Sequence, residues 1–358
     1  MKRETLDWLF ARQASGDGFW RNKDLSCHLD GFLFLELSVS FALDPGALFS
    51  DNEKAVRRCL ASMAALNGQD PSSERDSFRQ EHHPHTQHTE ADVVEHVRWL
   101  APQRMARQRR TKAKISGAFL DYAKRRAIRT VVSRDCKTEG EGTCHQKIST
   151  HLTVPRGWFP SLQAPMTEFA NLTDAIRRLL LQPDVTENRC ACGDSSCDGM
   201  VSKDVELISL PTVLVVATGQ EDMVMPYEEE MLLGVAKYEL HGVVFRKPPP
   251  HPHYTAAARL PVLGTDGVRC KWKWFGYDDT QKGSITAAAA SLDEASKSIA
   301  PLAGGFLPRA WYYLRVDDEA AEHVDFSGDI LVHTSLMKPM FDSVDHGDEP
   351  EGPYGGVY

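Results

Sequence analysis

No run of about 18 apolar residues occurs in this 358-residue chain, so the sequence offers no membrane-spanning helix. The opening Met1-Lys2-Arg3-Glu4-Thr5-Leu6-Asp7-Trp8 lacks the apolar core of a secretion signal. The expectation is an intracellular protein, in the cytoplasm, the nucleus or both. Cationic excess is missing too. Forty-one Lys and Arg against 50 Asp and Glu give a net charge of −9, which argues against broad nucleic-acid affinity and suits a basic ligand. Eight cysteines in an unsecreted chain read as thiols or metal ligands rather than disulfides. No internal repeat is visible. What is present, 42% hydrophobic and 25% charged residues, is the composition of a globular protein with a sizeable core.

The first part of the chain reads as helical. Thr5 to Gln13 is amphipathic, and Leu29 to Leu43 is apolar, without Pro, and free of Gly beyond Gly31, which predicts a buried helix. Asn67 to Glu90, with Gly68, Pro71, Pro84 and His82, His83, His85 and His88, reads as a mobile loop, within a longer loop span over 67–114. Arg104 to Arg129 carries ten Arg and Lys and reads as a solvated helix face rather than a nuclear localisation signal. From Cys136 onward strands dominate: 148–154, 205–211, 212–217, 237–245, 254–260, 271–277 and 311–316. Between them Leu172 to Leu181 predicts a short helix capped by Asn171 or Thr173, and Ser291-Leu292-Asp293-Glu294 is a capping box. Helices followed by antiparallel strands give an α+β class.

Cys27 precedes the predicted buried helix. A helix N-terminus favours a thiolate, and a nearby imidazolium would help further, bringing a thiol from about 8.5 to roughly 3.5–7.5. A small buried thiol at a helix start is the structural alternative. His253, in Pro252-His253-Tyr254, opens one predicted strand, and Asp278 closes the next. Adjacent antiparallel strands can bring the two into hydrogen-bond range, which fixes the imidazole tautomer. His251 is the competing histidine, and Asp279 stands beside Asp278 as a supporting group or a plain turn residue.

Read together these blocks resemble the ubiquitin-specific protease family of deubiquitinases, a group of papain-like cysteine peptidases, over roughly residues 20–318. Asn22-x4-Cys27 resembles the family's Cys box, Tyr238 to Val244 with His253-Tyr254 its His box, and Trp274 to Asp279 the segment of its third triad member. Ala310-Trp311-Tyr312-Tyr313-Leu314 resembles the closing strand. Ser26, His28 and Pro252 depart from the usual boxes, and the block upstream of the fingers is not recognisable near Ile115 to Leu120. The resemblance implies a papain-like fold with a helical thumb, an antiparallel palm and a fingers-like segment over 130–220. Residues 1–19 would be a helical extension and 338–358 an acidic, disordered tail. It also implies a thiol isopeptidase acting on ubiquitin or a ubiquitin-like protein, with Cys27 as nucleophile, His253 as base, Asp278 as its orienter and Asn22 lining the oxyanion hole. An inactive scaffold of the same architecture, binding the same modifiers, is the alternative.

Cys190, Cys192 and Cys197 cluster among Gly, Asp and Ser, downstream of Cys136 and Cys144, and neither half is a clean Cys-x2-Cys. Four thiolates suit structural zinc. The resembled family carries such a site in its fingers, which points to Cys136, Cys144, Cys192 and Cys197, with Cys190 as the alternative. No catalytic cofactor is expected.

Overall fold

The computed structural model describes residues 25–43, 49–66, 70–86, 91–100, 121–122, 125–137, 151–153, 161–162, 171–181, 200–218, 227–234, 236–247, 249, 252–263, 270–280, 284–297, 299–300 and 305–316. Helix α1 (Cys27–Ala42) is buried at every position from Cys27 to Ser40. A helix buried all round must lie between two layers. One layer is a mixed sheet; the other is α2 (Asp51–Ala65), α3 (Ser72–His82) and α4 (Val93–Trp99). Ser50 and Glu53 form a reciprocal capping box at the start of α2.

Strands β1 (Arg129–Lys137), β2 (His151–Thr153) and β4 (Met200–Ser209) make a small sheet in the order β2-β1-β4. The main sheet runs β10-β9-β8-β7-β11-β5-β3, with β6 also pairing β7. Its strands are β3 (Ser161–Leu162), β5 (Val213–Thr218), β6 (Glu230–Leu233), β7 (Ala236–Lys247), β8 (His253–Leu263), β9 (Cys270–Asp278), β10 (Ser284–Ile285) and β11 (Leu307–Arg315). All of its pairings are antiparallel except β3 with β5, so the expected antiparallel sheet has one parallel edge.

Period-two alternation divides the sheet between two cores. Val213, Val215, Ala256, Ala258, Tyr312 and Leu314 face α1, whereas Leu214, Val216, Ala257, Trp311 and Tyr313 face the opposite core with α5 (Leu172–Leu181) and α6 (Leu292–Ser296). Asn171 caps α5, accepting from the Asp174 N–H at 2.8 Å, and Ser291 caps α6. Helix α1 lies on β7 and β8, and a Cβ at Gly242 would collide with Leu35. That close approach carries the first turn of α1 to the start of β8.

The reading of 67–90 as a loop is corrected. Ser72–His82 is helical, with Arg75, Phe78 and Arg79 buried. Its inward face is built largely from arginines, so the apolar periodicity of a packed helix is missing from the sequence. Within the wider span 67–114, α4 is also helical, while 101–114 falls outside the described residues. The extension 1–19, the tail 338–358 and the 104–120 part of the basic stretch lie outside them too. No helix among the described residues is long and apolar enough to cross a membrane.

Candidate active site

Three elements meet at the site. Cys27 is the first residue of α1, His253 the first of β8, and Asp278 the last of β9. Strands β8 and β9 pair from Ala256 opposite Tyr277 to Leu263 opposite Cys270, so both residues stand at the end of the ladder nearest α1. His253 Nε2–H donates to Asp278 Oδ1 at 2.9 Å, and Thr280 donates to the same oxygen from its N–H (2.9 Å) and its hydroxyl (2.7 Å). Burial pushes the Asp278 carboxyl up, but these hydrogen bonds outweigh it and hold it below the usual carboxylate range. Asp278 is therefore an anion, and its bond fixes the histidine tautomer. His253 is the residue that opens β8. His251, its competitor, lies outside the described residues, as does Asn22.

The cysteine differs from expectation. Its thiol is pushed up to about 12, chiefly by burial and then by the negative charge of Asp279 and Asp30. The backbone N–H groups of Tyr254 and His28 face the sulfur and pull the other way. Only 6% of Cys27 is exposed, and a helix N-terminus offsets little of so large a desolvation. No hydrogen bond joins Cys27 to His253 among the contacts of the described residues. The sulfur nonetheless lies at the Tyr254 N–H, one residue along from the histidine. Leu25, two residues before Cys27, is 45% exposed and holds a left-handed backbone (φ 60°), an uncommon conformation for a branched side chain.

Beneath the site lies a polar network the sequence did not announce. Ser26, Asp30 and Arg75 are each 0% exposed. Arg75 Nη1–H donates to Ser26 Oγ at 2.9 Å and to both Asp30 oxygens at 3.1 and 2.9 Å, while Ser26 Oγ–H donates to Asp30 Oδ2 at 2.9 Å. Asp279, whose Oδ1 lies 3.6 Å from His253 Nε2, is also hydrogen-bonded to Asp30. Burial and then the Asp30 charge push the Asp279 carboxyl up to about 10, so it is the protonated donor of that pair at neutral pH. The one available signal was Asp30 itself, an acid one turn after Cys27 in a largely apolar helix whose other acid is Glu36.

A second cluster flanks Cys27. His28 Nδ1 and His96 Nε2 are 2.7 Å apart, and the His83 ring stands edge-on to His96. Burial lowers all three, His28 and His83 to about 3 and His96 well below its ordinary value, so they are neutral rings. His253, Asp278 and Asp279 are the group among the described residues whose ligand atoms gather within 4.8 Å of one another. Their hydrogen bonds to one another and to Asp30 account for that gathering. Of the expected zinc ligands, Cys136 lies in β1, and Cys144, Cys190, Cys192 and Cys197 fall outside the described residues.

No protein-family model matches the sequence, and no curated protein matches it significantly. Solved structures do resemble the fold. The SAGA DUB module Ubp8/Sgf11/Sus1/Sgf73 bound to monoubiquitin superposes with a TM-score of 0.55 at 12% identity, over 86% of this chain and 70% of that one. The same module bound to ubiquitin aldehyde gives 0.54 at 13% identity, over 86% and 71%. At that identity the likeness is one of fold: a mixed helix-and-sheet domain of the kind found in these deubiquitinase structures.

Proposed function

We propose that the chain is a thiol-dependent isopeptidase that removes ubiquitin or a ubiquitin-like modifier from proteins. The observation that carries this reading is the 2.9 Å His253–Asp278 hydrogen bond, set beside the Cys27 sulfur through the Tyr254 N–H. With Nε2–H committed to Asp278, Nδ1 is the nitrogen that takes the thiol proton. The Cys27 sulfur attacks the carbonyl carbon of the modifier's C-terminal glycine. Charge collects on the carbonyl oxygen, which the Cys27 N–H and the Asn22 amide stabilise, each donor worth about 2.7–4 kcal/mol in comparable sites. The C–N bond breaks as His253 returns its proton to the departing lysine amine. Water, deprotonated by His253, then hydrolyses the thioester and regenerates the thiol.

Arrival of the modifier's tail must unseat the resting sulfur from its dry position before it can ionise. The fold likeness to structures holding ubiquitin supports this substrate class. The thumb, palm and fingers over residues 20–318 and a location in the cytoplasm, the nucleus or both belong to the same proposal.

A structural Zn²⁺ in the fingers does too. In the β1–β4 register Cys136 faces Val201 and Lys137 faces Met200, so the segments carrying Cys144 and Cys190, Cys192 and Cys197 leave the same end of one strand pair. That suits four protein ligands, Cys136, Cys144, Cys192 and Cys197, with Cys190 as the alternative, closing a tetrahedron.

One observation favours a second reading, an inactive scaffold that binds the same modifiers: the buried, neutral thiol has no bond to its base. Labelling with C-terminal electrophile probes of ubiquitin, SUMO and other modifiers separates the two. The enzyme reading expects an adduct on Cys27 that Cys27→Ala abolishes. Folded protein that labels with none of them supports the scaffold.

A further inference from the structure

Arg75 belongs to α3, far along the chain from either partner in the His253–Asp278 couple, yet it grips both the residue before Cys27 and the acid one turn after it. Its remaining nitrogens hold Asp76 Oδ1 at 2.9 Å. The groups around this point are Ser26, Cys27 and Asp30 from α1, Arg75 and Asp76 from α3, His253 from β8, and Tyr277, Asp278 and Asp279 at the end of β9. Asp278 is ionised beside His253. A second unbalanced anion here would repel a forming thiolate, since an ionised Asp30 or Asp279 acts against ionisation of Cys27.

We propose that Arg75 is a positioning residue of the active site: it balances the charge of the Asp30–Asp279 pair so that the pair holds a single shared proton. This inference rests on the reading of Cys27 as the nucleophile. The pair donates one O–H to one carboxylate, Arg75 neutralises that carboxylate, and Asp279 stays uncharged next to the His253–Asp278 couple. Without the cation the pair's remaining charge is stranded in a buried site. It is removed only by taking up a second proton at lower pH.

The test compares wild type, Arg75→Met and the double variant Asp30→Asn/Arg75→Met. The rate of Cys27 alkylation by iodoacetamide is followed by mass spectrometry from pH 6 to 9, with free glutathione in the same reaction as the reactivity control and circular dichroism as the check on folding. Arg75→Met is expected to react at least tenfold more slowly than wild type at pH 8, with the deficit shrinking toward pH 6. The double variant, which strands no charge, is expected to return to within about threefold. If Arg75→Met fails to fold while the double variant folds, the stranded charge is the cause and the inference stands. A folded Arg75→Met with the wild-type pH profile overturns it. So does a double variant as slow as the single one, or one that is also unfolded. Because iodoacetamide needs no modifier, failure of the isopeptidase reading would show separately, as absence of any probe adduct on wild type.

Discussion

Arg126→Met should be among the most damaging single changes away from the active site. Arg126 donates through Nη1 and Nη2 to the Glu36 carboxylate at 3.0 and 2.7 Å, and through Nε to Glu53 at 3.1 Å. Arg125 reaches Glu53 Oε2 at 2.6 Å. Glu36 is 3% exposed, and burial holds its carboxyl above the usual range, with Arg126 the largest influence pulling it back. Methionine roughly fills the space but leaves Glu36 as a stranded buried charge, a loss of about 3–5 kcal/mol. At about 2–4 °C per kcal/mol, the melting temperature falls by roughly 6–20 °C. The sign of the pH dependence follows. Folded Glu36 then binds a proton across a wider span above its unfolded value than the unfolded chain does, so the variant regains stability relative to wild type as pH falls from 7 toward 5. Urea unfolding at both pH values, with Glu36→Gln/Arg126→Met alongside, is the assay. A loss under about 1 kcal/mol at pH 7, or an equal loss at both pH values, would refute the reasoning.

Gly276→Ala would place a Cβ 2.5 Å from the Ala295 carbonyl oxygen; backbone cannot yield there, so a loss of about 1–3 kcal/mol in denaturant unfolding is expected. Gly31→Ala meets only Val244 and Ala256 side chains, at 3.6 Å and beyond, and the same assay should find it neutral or up to about 1 kcal/mol more stable. His96 is neutral when folded because burial lowers it well below 6.5, so its contribution is lost as pH falls below the unfolded value. His96→Leu should flatten the fall in stability below about pH 6 by up to roughly 1.4 kcal/mol per pH unit. Purified protein should carry one zinc per chain by elemental analysis, and Cys136→Ser should lose it; metal-free wild type would dismiss the fingers site.

The long apolar run 29–43 and the β-branched and aromatic strands were legible because burial on both sides removes polar interruptions from a segment. The capping residues Asn171 and Ser291 were legible because a cap is a local bond. His253 and Asp278 could be paired because each sits at an end of neighbouring strands, where register alone brings them close. Helix α3 was hidden because it buries Arg75 and Arg79 instead of aliphatic side chains, and its partners Asp30 and Thr86 come from other elements. The raised Cys27 thiol was hidden for the same reason: helix position is local, whereas desolvation and the charges of Asp30 and Asp279 belong to the assembled core.

The thiol on α1 and the imidazole on β8 are separated by 226 residues of chain, which sets an order in time as well as in space. At about 5–20 residues per second a ribosome would make the histidine roughly ten to fifty seconds after the cysteine. On the proposed mechanism the nascent chain holds a nucleophile with no base throughout that interval, and β7, on which α1 must lie, emerges only shortly before β8. The proposed isopeptidase activity would therefore arrive late, after most of the chain has been made, and a product truncated before β8 would lack it.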